Sequence, residues 1–179
     1  MSKLLTLAVV FSTWLVVPLD AASPLPAAHQ SPWQQEARAV VQVLAERVPF
    51  NWLQPFKLSD HKKSYGTGFF IDSEGLLITN LHVVEEACGV KIQIPSCGKE
   101  QFDVEVVGAC PNRDIALLRL TPLSLEKLRK QVQQISYLKL GDSDHVVRTQ
   151  EILLLGYPLG QEKLKSTEGT VSGREMVGG

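Results

Sequence analysis

From Tyr65 onward the sequence breaks into short apolar pieces separated by turn residues, and this punctuation limits the fold more than any other feature. Residues 66–71 (GTGFFI) are glycine-led, then aromatic and β-branched. Asp72-Ser73-Glu74-Gly75 has turn chemistry and residues 76–79 follow, so the two pieces read as a β-hairpin. Residues 90–94 alternate and stop at Pro95. Residues 102–107 alternate apolar with acidic side chains, and 115–120 read as a more buried strand. Residues 137–140, 151–155 and 166–174 complete the strand candidates. Many short strands at turn-bounded intervals predict an all-β barrel or sandwich and argue against alternating βαβ units.

Two stretches have a different rhythm. Residues 32–49 place Trp33, Ala37, Val40, Val41, Leu44 and Val48 close to helical spacing. A linker and a short N-terminal helix are therefore expected over 24–49. Residues 122–135 set Leu125, Leu128, Val132 and Ile135 at helical spacing among charges, which predicts a short surface helix or an ordered loop. Residues 50–63 mix aromatics, a proline and charges, with room for a first strand and a long loop.

Residues 1–23 read as a signal peptide or an N-terminal anchor. Lys3 precedes a 14-residue uncharged run from Leu4 to Val17, too short to span a bilayer comfortably and about right for a secretory core. Pro18 breaks the run, and the small residues Ala21, Ala22 and Ser23 follow. An exported protein is expected either way, with no membrane contact beyond such an anchor. The chain is 44% hydrophobic and 21% charged, as folded globular proteins are. Its net charge of −1 and scattered Lys and Arg argue against nucleic-acid binding. Of the three cysteines, Cys88 and Cys97 flank a short segment and could close a small disulfide loop, while Cys110 reads as a small hydrophobe. No cysteine or histidine spacing suggests zinc, and no cofactor is called for.

In LLITNLHVVEE (76–86), His82 stands at a strand-to-helix corner, where a side chain can face a cleft. Alone, a histidine there is more often structural. A histidine that serves as general base to a serine needs a carboxylate to fix its tautomer and stabilise the imidazolium. The candidate is Asp114, which opens the apolar strand in CPNRDIALLRL, a place where aspartate is otherwise a turn or cap residue. Two alternating strand candidates lie between them, and in a small antiparallel barrel that connection can return the chain beside the histidine. His29, His61 and His145 have no such partner pattern and read as surface residues.

Several blocks together carry a resemblance. GTGFFIDSEGLLITNLHVV is similar to the G-S-G-F…L-T-N-x-H-V-V block of the HtrA/Deg serine endopeptidases, and RDIALLRL to their D-[LI]-A-[LV]-L block. LKLGDSD, ILLLGYPLG and STEGTVSG then resemble, in order, the segments leading to the family's nucleophile. Thr67 stands where serine is common, and Leu81 where a smaller or polar residue is common. The resemblance implies a trypsin-like double β-barrel over about 50–179, with a first barrel over about 50–125 and a partial second barrel over about 136–179. It also implies His82 as general base, Asp114 as its orienting carboxylate, and unfolded or damaged exported polypeptides, in a periplasm-like compartment, as substrates. Many relatives carry a PDZ domain and form trimers, so a homo-oligomer is a further expectation.

The family's serine lies in G-N-S-G-G shortly after a T-x-G-x-V-S segment. That segment is 167–172 here, and no G-x-S-G-G occurs in the 179 residues. Ser172 lacks the flanking amides of an oxyanion hole, and Ser143 and Ser166 have less context still. The expectation for these residues alone is a second barrel with open strand edges, proneness to aggregate and no proteolysis. Two alternatives stand beside the endopeptidase reading. One is an inactive relative that binds unfolded polypeptide or a partner protease. The other is an unrelated β-barrel binding module.

Overall fold

A computed structural model describes residues 33–48, 53, 56 and 62–173. The expected leader at 1–23 lies outside the described residues. All of them belong to one compact unit, Pro32–Gly179. Among them no helix is long and apolar enough to cross a membrane.

Six antiparallel strands close into a barrel: β1 (Val40–Arg47), β2 (Lys62–Phe70), β3 (Leu76–Asn80), β4 (Ala87–Gln93), β5 (Gln101–Cys110) and β6 (Ile115–Leu120). Their order around the barrel is β1-β2-β3-β6-β5-β4, and β4 returns to β1. Period-two patterning sets the inward face. Leu77 and Thr79 of β3, Phe102 and Val104 of β5, and Ala116, Leu118 and Leu120 of β6 are all buried. They meet Val41, Val43 and Ala45 of β1 and Ile92 of β4 in a single core.

The β2–β3 hairpin forms as its turn chemistry predicts. The Asp72 carboxylate accepts from the main-chain N–H of Glu74 (2.9 Å) and Leu76 (2.8 Å), which folds the turn locally. Gly75 closes it at φ 88°, where a Cβ would also strike Leu120. In β5 one extra residue, Val107, sits between Val106↔Leu118 and Gly108↔Leu117, a bulge that bends the strand as it runs toward Cys110.

Residues 32–49 differ from expectation. Only Gln34–Ala37 is helical (α1), and Val40–Arg47 is a strand of the barrel. The first barrel therefore begins at Val40, not near residue 50. The physical reason is burial on both faces at the start of β1, where Val40, Val41, Gln42 and Val43 are all buried. Such a strand loses its polar–apolar alternation, and its spacing then imitates a helix.

The stretch 122–135 does form a helix, α3 (Pro122–Arg129), entered through Pro122 and capped by the Thr121 hydroxyl, which accepts from Ser124 N–H at 3.3 Å. Leu128 and, further on, Ile135 join the barrel core. α2 is the single turn Leu81–Val84 that follows β3. The second half of the chain supplies a two-stranded antiparallel sheet, β7 (Glu151–Gly156) and β8 (Lys165–Thr170). Residues 137–140 are not a strand. Leu138 N–H donates to Phe70 O at 2.9 Å, but no ladder forms on either side. Among the described residues, the second barrel thus consists of one hairpin.

Candidate active site

The β3–β6 register builds the site. Leu77 pairs with Leu118 and Asn80 with Ile115, so the next residues out, Leu81 and Asp114, face each other where the ladder ends. Leu81 N–H donates to Asp114 O at 3.1 Å. His82 is then carried past the strand end by α2, and Asp114 turns back to meet it.

Asp114 makes this turn in the left-handed region, at φ 52° and ψ 45°, after the 3₁₀ turn Pro111–Arg113. Aspartate tolerates that conformation better than most side chains. One carboxylate oxygen, Oδ1, accepts from the His82 main-chain N–H at 2.8 Å, and Oδ2 lies 2.6 Å from His82 Nδ1. The His82 main-chain N–H, and then the ring, hold the Asp114 carboxyl below its ordinary range. An ionised carboxylate only accepts, so the ring nitrogen facing it, Nδ1, is the one that donates, and in the neutral ring this leaves Nε2 as the acceptor. The His82 side chain remains 68% exposed. A base of this form can take a proton from a hydroxyl and be stabilised as imidazolium by the carboxylate behind it.

Two further residues brace the pair, and the sequence alone gave them no role. Asn80 Nδ2 donates to Asp114 Oδ2 at 3.2 Å and to Asp114 O at 3.3 Å. Arg47, at the end of β1, donates through its guanidinium to the main-chain oxygens of His82 and, at 3.4 Å, Val83. The turn bearing His82 is thereby tied to β1, two strands away from β3 around the barrel. The signal for Asn80 was its place in the T-N-x-H block. Arg47 sits in no block that was singled out. Underneath, Gly66 of β2 passes so close that a Cβ there would lie 2.5 Å from Val83 Cγ2.

Among the described residues the structure brings no serine to His82. Ser166 pairs across the hairpin with Leu155, Ser143 lies in a 3₁₀ turn, and Ser172 follows β8. Among the described residues no serine hydroxyl bonds the His82 ring, and no three His, Cys, Asp or Glu side chains group as metal ligands. The proposed Cys88–Cys97 disulfide is not formed, and all three cysteines are free. β4 runs extended between them, and the stretch from Cys88 to Gln93 alone spans roughly 17 Å, far beyond the reach of a disulfide. Cys88 Sγ instead contacts Glu46 O at 3.1 Å.

Residues 66–178 match the model of a family described as the trypsin-like peptidase domain. A probable periplasmic serine endoprotease, DegP-like, of Pseudomonas putida (strain GB-1) is 30% identical over 112 residues, 63% of this chain and 21% of the relative. Proteins of the same description from Halomonas elongata and Chlamydia pneumoniae are 31% and 28% identical, covering 64% and 61% of this chain. The chain spans about a fifth of the length of the curated relatives it matches. With its closed six-stranded barrel and a family match over residues 66–178, the chain belongs to the trypsin-like peptidase family, in its HtrA/Deg group.

Proposed function

We propose that this chain is part of a serine endopeptidase that hydrolyses peptide bonds in unfolded or damaged exported proteins, with His82 as general base and Asp114 as the carboxylate that orients it. The observation that carries the reading is the 2.6 Å contact from His82 Nδ1 to Asp114 Oδ2, braced by the second bond from the His82 main-chain N–H. A histidine with a merely structural role has no need of a carboxylate bound at two points. The relatives' description as periplasmic endoproteases and the uncharged run from Leu4 to Val17 support export. The serine that His82 would activate is not among these 179 residues, and neither are the amides that would form its oxyanion hole.

A second reading is an inactive relative that binds unfolded polypeptide or a partner protease. The β7–β8 hairpin favours it, because among the described residues it is a two-stranded sheet with outer edges to which an extended peptide can add. One pair of measurements separates the two. The codons following Gly179 in the gene are read for an in-frame G-N-S-G-G. Residues 1–179 are also joined to the nucleophile-bearing segment of a DegP-like relative and assayed on unfolded casein. Hydrolysis that disappears in His82→Ala supports the endopeptidase. A folded chimaera that retains casein without cutting it supports the binding protein.

A further inference from the structure

Asn80 occupies the N-cap position of α2, a position at which asparagine commonly turns its side chain onto the helix's own free N–H groups. Here it does not. Its side chain makes no capping bond, and its amide is directed across the strand end to Asp114. Both acceptors there, the Asp114 carboxylate and the Asp114 carbonyl, can only accept, so the group facing them is the NH₂. One amide group therefore spans the side chain and the main chain of a single residue, at 3.2 and 3.3 Å.

We propose that Asn80 is a positioning residue for the His82–Asp114 pair, fixing the Asp114 carboxylate against its own backbone so that Oδ2 stays on His82 Nδ1. The need for such a brace follows from exposure. The Asp114 side chain is 44% exposed, so water competes for Oδ2 and can hold it in many orientations, whereas the Asn80 amide holds it in one. The Asp114 backbone is in the left-handed region, and the Asn80 and Leu81 donors on its carbonyl maintain that conformation. Oδ1 is already occupied by the His82 main-chain N–H. Asn80 completes the set by restricting Oδ2, the oxygen on which the ring tautomer depends.

This inference rests on the endopeptidase reading for its purpose, but its test does not require a nucleophile. The chain has four histidines. Ring ¹⁵N-labelled histidine in the full 179-residue chain, in dilute solution, therefore gives few signals, and His82→Ala identifies the one of interest. In wild type the Nδ1–H tautomer of His82 dominates. In Asn80→Ala and in the uncharged, similarly shaped Asn80→Leu, the Nε2–H form is expected to rise severalfold, while Asp114 titrates at higher pH. Asn80→Leu removes the donor at nearly the same shape and adds no charge, so it gives a folded sample if the alanine variant unfolds. An unchanged tautomer population in a folded variant overturns the proposal and leaves the endopeptidase reading intact. A chimaera without proteolysis sinks the endopeptidase reading and leaves the tautomer measurement valid.

Discussion

The main-chain N–H of Tyr157 donates to the Thr67 hydroxyl oxygen at 2.9 Å, joining residues 90 positions apart. Thr67 lies on β2, and its carbonyl accepts from the Thr79 hydroxyl at 2.8 Å. Tyr157 follows β7 and is buried. One side chain thus links the barrel to the second half of the chain, and Gly156 makes the approach feasible, since a Cβ there would come within 3.0 Å of Thr67 Oγ1. Thr67→Val keeps the shape and removes the acceptor, leaving a buried N–H unpaired. A loss of about 1–3 kcal/mol is expected in denaturant unfolding, with recovery in Thr67→Ser. An unchanged midpoint in the valine variant contradicts the link.

Gly66 and Val83 form a matched pair of small and large. Gly66→Ala would press its Cβ onto both Val83 methyls, at 2.5 and 2.7 Å, and push against the turn that holds His82. Overpacking of this kind costs about 1–3 kcal/mol. The thermal midpoint should fall in Gly66→Ala and recover in part when Val83→Ala is added. Simple addition of the two losses would show that the residues do not touch in solution.

The Asp114 carboxyl is held below its ordinary value of 3.8, first by the His82 main-chain N–H and then by the ring. A depressed carboxyl stabilises the fold above its unfolded pKa, and the contribution is lost as pH falls through the lower folded value. Wild type should therefore unfold at higher temperature than Asp114→Asn near neutrality. The gap should close as pH is taken down from 3.8. A gap that persists at strongly acid pH means that the bonds do not depend on the carboxylate charge.

The cysteines give a chemical test of the barrel. Cys88 and Cys110 are exposed, whereas partial burial pushes the Cys97 thiol up, with Glu100 adding to the effect. A disulfide-forming reagent should label Cys88 and Cys110 quickly and Cys97 slowly under native conditions. Reductant should leave the thermal midpoint unchanged. A Cys88–Cys97 crosslink in peptide maps of native protein would contradict the extended course of β4.

What could be read from the sequence depended on how local each signal was. The β2–β3 hairpin was visible because Asp72 and Gly75 form its turn within one short segment. β6 was visible because its apolar run, Ile115 to Leu118, marks a buried strand within one short segment. β1 was not, because Gln42 is buried in an apolar run and its amide bonds Gln161 O, 119 positions away. No local pattern reports such a partner. Nearness along the chain was equally misleading for Cys88 and Cys97, which an extended strand holds apart. His82 and Asp114 could be paired through their blocks. The contribution of Asn80 depends on the register that sets Leu81 opposite Asp114, and only the folded chain displays it.

The placement of His82 and Asp114 also bears on timing. Every strand of the closed barrel lies between Val40 and Leu120, so all the backbone pairing that aligns the two residues is available before the rest of the polypeptide has been synthesised. Domains tend to fold as units during synthesis, N-terminal first. The residues from Val40 to Leu120 thus carry every strand needed to set the base against its carboxylate, whatever the polypeptide holds beyond them.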